Sequence, residues 1–178
     1  MKAPIYLLAS IMLLAASCGD SNNKGPELLF VQTSDGAALY ESTLWLTGIS
    51  PNTGWFTDRP YREAGQIPTE EFIFAWGEGE NSFADDPPNA DFTCTFGGEV
   101  VNYVVELQNP TLAVPYLSEG CGSGICALNY DITFIGPDAV EAGDIVECDG
   151  TAHLFIDDAL GSEGFADNGL TQSGPYFD

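Results

Sequence analysis

The feature of the sequence that most restricts its fold is a β-hairpin in the middle of the chain. Two β-rich runs, 92–96 and 99–107, are joined by Gly97-Gly98, and a glycine pair favours the tight turns that connect antiparallel strands. Other strand-like runs begin near residue 28 and lie at 38–49, 55–57, 127–135, 145–148 and 152–156. Because these runs are short and divided by turn residues, they predict an antiparallel β-sheet protein.

One short segment has the pattern of a helix. Thr69 is a candidate N-terminal cap, and Glu70 and Glu71 would interact favourably with the positive end of the helix dipole. Gly77 then gives a stop signal. We therefore predict an all-β fold, either an antiparallel β-sandwich or a partly open barrel, with one short helix at about 69–76.

The length and composition fit a single folded domain. The chain has 178 residues, of which 44% are hydrophobic and 12% aromatic, and such a composition is typical of a folded protein rather than a disordered one. The sequence pattern divides the chain into a signal peptide at 1–17, a flexible tether at 18–27, a β domain at 28–158 and an irregular C-terminal tail at 159–178.

The N-terminus has the pattern of an export signal. Lys2 supplies a positive charge, 5–14 form an apolar core, and the small residues at 15–17 directly precede Cys18. This arrangement resembles a bacterial lipoprotein signal, which implies that Cys18 is acylated and holds the protein on a membrane, at the outer membrane or cell surface. The leucine usual three residues before the cysteine is Ala15 here. Cleavage by an ordinary signal peptidase, giving a secreted or periplasmic protein, therefore stays open.

The charge excludes one class of partner. Acidic residues number 27 and Lys and Arg together 4, for a formal net charge of −23. A surface so negative repels the phosphates of nucleic acids, so no nucleic-acid partner is expected. Removal of 1–17 would leave Lys24, Arg59 and Arg62 as the only Lys and Arg residues.

The cysteines predict two disulfides. If Cys18 carries lipid, Cys94, Cys121, Cys126 and Cys148 remain, and four cysteines in an oxidising compartment allow three connectivities. We favour Cys121–Cys126, which would close a glycine-rich loop, together with Cys94–Cys148, which would join distant strands. A structural zinc site is disfavoured, because the sequence has one histidine and no CxxC pair.

Two longer motifs stand out in the body of the chain. Residues 57–65 read TDRPYREAG and residues 82–90 read SFADDPPNA. Together they resemble a family of small exported bacterial all-β domains of unassigned function, over roughly residues 43–135. The resemblance implies a shared fold and no particular activity.

Arg59 and Arg62 are candidates for two roles. They could form bidentate ion pairs with carboxylates such as those of Asp58, Asp85 or Asp86, and so hold the acidic segment after the helix against the sheet. Alternatively, they could bind a carboxylate or phosphate ligand. We favour the ion pairs, because acidic residues greatly outnumber arginines in this sequence.

Calcium is the one cofactor that the sequence brings into question. Asp85, Asp86 and Asp91 could supply the carboxylate oxygens that calcium prefers. Their spacing lacks the pattern of an EF-hand loop, so we favour solvated loop acids and expect no other cofactor.

No motif indicates catalysis. The sequence has no GxSxG, and its single histidine, His153, lies in a strand-like run where a structural role is the default. We therefore favour a lipid-anchored, non-catalytic binding module of the envelope or cell surface, with an unknown protein or glycan partner. Two alternatives stay open: a small secreted glycan hydrolase that uses a pair of carboxylates, and a structural component of an envelope assembly.

Overall fold

The computed structural model describes residues 27–79, 82–113, 127–137, 139–140 and 143–158. These ranges contain nine strands, one short helix and one 3₁₀ turn. The elements are β1 (Leu28–Tyr40), β2 (Thr43–Ile49), β3 (Asn52–Thr57), β4 (Ala64–Pro68), α1 (Thr69–Phe74), the 3₁₀ turn (Ala75–Gly77), β5 (Asn89–Phe96), β6 (Glu99–Ala113), β7 (Ala127–Phe134), β8 (Ile145–Glu147) and β9 (Ala152–Asp158). The predicted signal peptide and C-terminal tail, and the tether up to residue 26, lie outside the described residues.

Six of the strands close into an antiparallel barrel. Its order is β1-β2-β7-β6-β5-β9, and β9 returns to pair with β1. The hairpin of β3 and β4 extends the sheet from the first half of β1, and β8 pairs with the last residues of β1. The prediction of an all-β fold with one short helix is confirmed. The barrel is closed rather than partly open, and closure pairs the strand edges that an open sheet would expose.

Side chains fill the interior of the barrel. Alternate residues along the strands point inward, as Ala90, Phe92 and Cys94 of β5 do. The large side chains that are fully buried come from all six barrel strands and from the helix: Phe30, Leu39, Leu44, Leu46, Phe72, Phe92, Leu107, Leu128, Tyr130, Leu154 and Ile156. This interior is a packed core.

The segment from α1 to residue 86 adds an aromatic cluster to this core. Phe72 of α1 packs on Phe30 of β1, with ring centroids 5.0 Å apart. Trp76 contacts Phe83 at 4.9 Å and Tyr130 of β7 at 5.6 Å. Aromatic pairs at such distances contribute beyond the area that they bury. The helix is therefore held mainly by the side chains that it buries.

The predicted N-terminal cap of the helix is wrong. The residue before α1 is Pro68, Thr69 is the first helical residue, and no side chain caps the N-terminus. The Thr69 hydroxyl instead donates a hydrogen bond to the main-chain oxygen of Ser50, at 2.8 Å. Tertiary contact with the β2–β3 connection has displaced the local capping interaction. Glu70 and Glu71 do lie in the first turn, as predicted.

The single strand predicted at 38–49 is in fact a hairpin. β1 ends at Tyr40, β2 begins at Thr43, and Glu41 between them has a positive φ of 49°. The sequence gives no signal of this turn, because neither of its residues is Gly, Asn or Pro. As a consequence, Leu39 and Leu44 face each other inside the barrel while Tyr40 and Trp45 are exposed.

The alternation of β1 is irregular where the strand changes partners, and Gly48 of β2 lies against this irregularity. Ser34 and Ala37 of β1 are both buried, so the inward alternation shifts by one residue there. Gly48 has a φ of +61°, and a Cβ on it would lie 2.9 Å from the Cβ of Asp35. Such a φ is costly for any residue with a side chain.

We expect Gly48→Ala to lower the free energy of unfolding by about 1–2 kcal/mol or more, since alanine must adopt the left-handed conformation and displace Asp35. Gly54→Ala is the matched control, because a Cβ there would meet only a main-chain oxygen, at 3.8 Å. Urea unfolding of both variants measures the difference. Equal stability of the two would show that position 48 does not require glycine.

Candidate functional site

A chain of hydrogen bonds crosses the core, and the donor and acceptor of each bond can be assigned. Thr69 donates to the Ser50 oxygen, so its own hydroxyl oxygen accepts from Thr53, 3.0 Å away. Thr53 in turn accepts from the Gln32 amide at 3.4 Å, and the Gln32 oxygen accepts from the Tyr130 hydroxyl at 2.9 Å. Burial raises the pKa of Tyr130 well above its ordinary value. The four side chains are buried, so this network fixes packing and is closed to ligands.

The candidate site is therefore on the outer surface, and its first part is the β3–β4 loop, residues 58–63. Two hydrogen bonds close the loop: the Thr57 main-chain nitrogen donates to the Glu63 oxygen at 2.9 Å, and the Glu63 nitrogen donates to the Thr57 hydroxyl oxygen at 2.8 Å. A third joins the Arg62 nitrogen to the Asp58 oxygen at 3.2 Å. The loop thus has a defined shape built by its main chain.

The loop presents two arginines to solvent. Arg59, Tyr61 and Arg62 are all exposed, Tyr61 by 49%. Within the part of the chain that the structure describes, no ion pair joins either guanidinium group to a carboxylate, including that of Asp58. The alternative role for the arginines, contact with a ligand, stays a prediction.

Other contacts hold the acidic segment after the helix. Phe83 is buried in the aromatic cluster, and the Ala84 nitrogen donates to the Trp76 oxygen at 3.1 Å. Farther along, the Leu107 nitrogen of β6 donates to the Pro88 oxygen at 3.0 Å. Burial of Phe83 and main-chain hydrogen bonds therefore hold this segment against the sheet, the role that we expected for ion pairs from the arginines.

Arg59→Ala is therefore expected to change the free energy of unfolding by less than about 1 kcal/mol, which is the usual range for an exposed, unpaired charge. Thermal unfolding of the variant beside the wild type measures this. A fall of several kcal/mol in the free energy of unfolding would instead support the structural ion pair that the composition suggested.

The loop lies beside the point where the chain enters the barrel. The Asp58 nitrogen donates to the Glu27 oxygen at 3.3 Å, and Leu28, the first residue of β1, is paired with Thr57. Glu63 and Asp157, both exposed, belong to the same end of the sheet. The arginines thus have acidic neighbours, but no ion pair with them forms among the described residues.

The structure does not bring the three calcium candidates together. Asp85 lies in the turn at 82–86, where its carboxylate accepts from the Ser82 hydroxyl at 3.2 Å. Asp91 lies on the outer face of β5 and accepts from Thr93 at 2.9 Å. Asp86 is exposed beside Asp85. Over the described ranges, no three metal-ligating side chains are grouped in a way that could hold an ion.

His153 lies on the outer face of β9. The strand register places it between Thr33 of β1 and Thr93 of β5. Its Nδ1 atom is 3.4 Å from the Thr33 hydroxyl, and the side chain is exposed. No carboxylate among the described residues forms an ion pair with this imidazole. The geometry is that of a surface residue bonded to a neighbouring strand.

The disulfide between Cys94 and Cys148 is confirmed. It joins β5 to the segment between β8 and β9, with 5.8 Å between the two Cα atoms, inside the normal range. Next to it, the Asp149 nitrogen donates to the Thr95 oxygen at 2.7 Å. Cys18 and the predicted Cys121–Cys126 pair lie outside the described residues and stay predictions.

The second part of the candidate site is a group of exposed apolar side chains on the barrel wall. Tyr40, Trp45 and Ile145 are 43%, 46% and 57% exposed and lie on three adjacent strands, β1, β2 and β8. We call these three residues the aromatic face. The other two tryptophans, Trp55 and Trp76, are buried. Trp45 faces outward because the hairpin turn after Tyr40 sets the register of β2 against β1.

The comparisons with known proteins give no relative. The chain matches no protein-family model, and no curated protein or solved structure is significantly similar to it. Among the described helices, none has the length and apolar character needed to cross a membrane.

Proposed function

We propose that this protein is a lipid-anchored, non-catalytic binding module of the outer membrane or cell surface. The export pattern that ends at Cys18 supports the anchor. The disulfide supports an oxidising compartment, where such bonds persist. The packed interior supports binding on the outer surface, since the barrel holds its own side chains where a ligand-carrying barrel would have space.

The single observation that carries the binding role is the aromatic face. Trp and Tyr are the residues most enriched where proteins bind partners, because a large rigid ring buries much area at a small entropic cost. Tyr40 and Trp45 lie on paired strands of the closed barrel, and Ile145 lies on β8, which pairs with β1, so binding would require little further ordering of the main chain. The partner we propose is a protein or a glycan of the envelope.

The anchor is tested by fractionation. Cys18→Ala should move the protein from the membrane fraction to the soluble fraction, because the acyl chains provide its hold on the bilayer. The wild type grown with a radiolabelled fatty acid should carry the label, and the variant should not. Unchanged partitioning of an unlabelled protein would rule the anchor out.

The binding face is tested with Trp45→Ala. Detergent-solubilised envelope proteins and purified envelope polysaccharides serve as two separate probes. We expect binding of one of them to weaken at least tenfold, which corresponds to about 1.4 kcal/mol and is typical of a central aromatic contact. Phe96→Ala is the matched control, since Phe96 is 42% exposed on a different strand, β5. Equal binding by both variants would remove the aromatic face from the site.

A further inference from the structure

We infer that the β3–β4 loop faces the membrane and that Arg59 and Arg62 bind the phosphate groups of its lipids. The inference rests on the proposed lipid anchor. It assigns to the loop the task of orienting the barrel on the bilayer.

The position of the loop is the first support. The described chain begins at Glu27, whose main-chain oxygen accepts a hydrogen bond from Asp58 at the start of the loop. Eight residues lie between Cys18 and Glu27, and the nine residue-to-residue steps span at most about 32 Å even when fully extended. The loop is therefore kept within a short distance of the bilayer surface.

The chemistry of the loop is the second support. The planar guanidinium group of arginine matches the geometry of phosphate oxygens and binds them in a bidentate manner. Arg59 and Arg62 are exposed and have no ion pair with described residues, so none has to be broken. Tyr61, half exposed between them, has the combination of apolar ring and polar hydroxyl that is enriched at membrane interfaces.

The distribution of charge explains why orientation, rather than attraction, is the expected effect. Glu27, Asp58 and Glu63 are exposed around the arginines, so the loop is not a positively charged patch that draws the protein from a distance. The anchor supplies the high local concentration, and the arginines then act at contact distance. Arg59 and Arg62 are the only Lys and Arg among the described residues, whose other charges are acidic, so an anionic bilayer repels the rest of the described surface more strongly.

This orientation would direct the aromatic face away from the membrane. β1 begins at Leu28 beside the loop and has 13 residues, the last of which is Tyr40; this corresponds to about 40 Å of strand. Tyr40 and Trp45 would therefore be presented to the exterior. The two parts of the candidate site would have opposite tasks, one toward the bilayer and one toward the partner.

The experiment uses the full, acylated protein in vesicles of phosphatidylethanolamine and phosphatidylglycerol. A nitroxide label is placed at Glu63→Cys, in the loop, or at Val100→Cys, at the far end of the β5–β6 hairpin. We expect the label at 63 to be at least twofold less accessible to a water-soluble nickel chelate in vesicles than in the soluble Cys18→Ala protein. The label at 100 should be equally accessible in both.

Arginine variants test the role of the two side chains. In the protein labelled at 63, Arg59→Ala with Arg62→Ala should restore the accessibility of the soluble protein, while the two lysine substitutions should restore it only in part. Both double variants should melt at the wild-type temperature, which separates loss of contact from loss of folding. If the alanine variant remains as protected as the wild type, the arginines do not make the contact.

The outcomes separate the two proposals. If the wild type is not acylated and stays soluble, the proposed anchor fails. If it is anchored but the labels at 63 and 100 are equally accessible, only the orientation fails. Titration of the Cys18→Ala protein with inorganic phosphate distinguishes the phosphate source. At micromolar protein, we expect no binding at phosphate concentrations up to about tenfold above that of the protein. Binding with micromolar affinity would instead make the loop a site for a free anion.

Discussion

Loss of the Cys94–Cys148 disulfide is expected to destabilise the protein by about 4 kcal/mol. The bond closes a loop with a sequence separation of 54 residues, and the chain-entropy model gives about 4 kcal/mol for a loop of this size, because the cross-link restricts the unfolded chain. The bond also fastens β8, which has only three residues and, among the described strands, pairs with β1 alone. β8 should therefore be the first described strand to exchange its amide hydrogens after reduction.

Urea unfolding with and without reductant measures this effect. Reduction of the wild type keeps both sulfur atoms in place, whereas Cys94→Ala also leaves a cavity at a position only 3% exposed. A Cys121→Ala/Cys126→Ala variant isolates the contribution, because Cys94–Cys148 is then the only cysteine pair expected in the domain. If reduction of that variant leaves the midpoint unchanged, this loop closure contributes nothing to stability.

The parts of the fold that could be predicted are those with local signals. The β5–β6 hairpin has Gly97-Gly98 at its turn, and both glycines adopt a positive φ. The β1–β2 turn has Glu41 at a positive φ, a conformation that the sequence pattern does not suggest for glutamate. Closure of the barrel depends on pairs such as Leu28 with Asp158. Pairs at that separation have no local signature, so a sandwich and a barrel were equally compatible with the strands.

In the candidate site, too, some features have a signal in the sequence and others depend on tertiary contacts. Composition alone identified Arg59 and Arg62, because so few basic residues exist in this chain. Whether they have partners depends on how the β3–β4 loop folds, and that loop is closed by the main chain and by Thr57. Pairing of Cys94 with Cys148 was predicted because only a few combinations exist. The bond between Gln32 and Tyr130 joins residues 98 positions apart, and neither residue attracts attention in the sequence.

The buried pair of Gln32 and Tyr130 gives the second large effect. Tyr130→Phe leaves the Gln32 oxygen without its donor, and Gln32→Leu leaves the Tyr130 hydroxyl without its acceptor. Each single change should lower the free energy of unfolding by about 1–3 kcal/mol, the cost of a buried polar group without a partner. The double variant should be less destabilised than the sum of the two, because it removes both groups. Additive losses would mean that the two side chains do not interact.

The same tyrosine should make the wild type lose stability in alkaline solution. Burial raises the pKa of Tyr130 in the folded state, whereas in the unfolded chain it is about 10. Below pH 10 both states hold the proton, so this group causes no pH dependence. Above pH 10 the unfolded chain loses the proton and the folded protein keeps it, so stability falls by up to about 1.4 kcal/mol per pH unit.

Tyr130→Phe removes this contribution to the pH dependence, and the stability of the variant should approach that of the wild type between pH 10 and 12. Tyr61→Phe is the matched control, because its exposed hydroxyl is in water in both states. Parallel curves for the wild type and Tyr130→Phe would show that the Tyr130 hydroxyl ionises as readily in the folded core as in the unfolded chain.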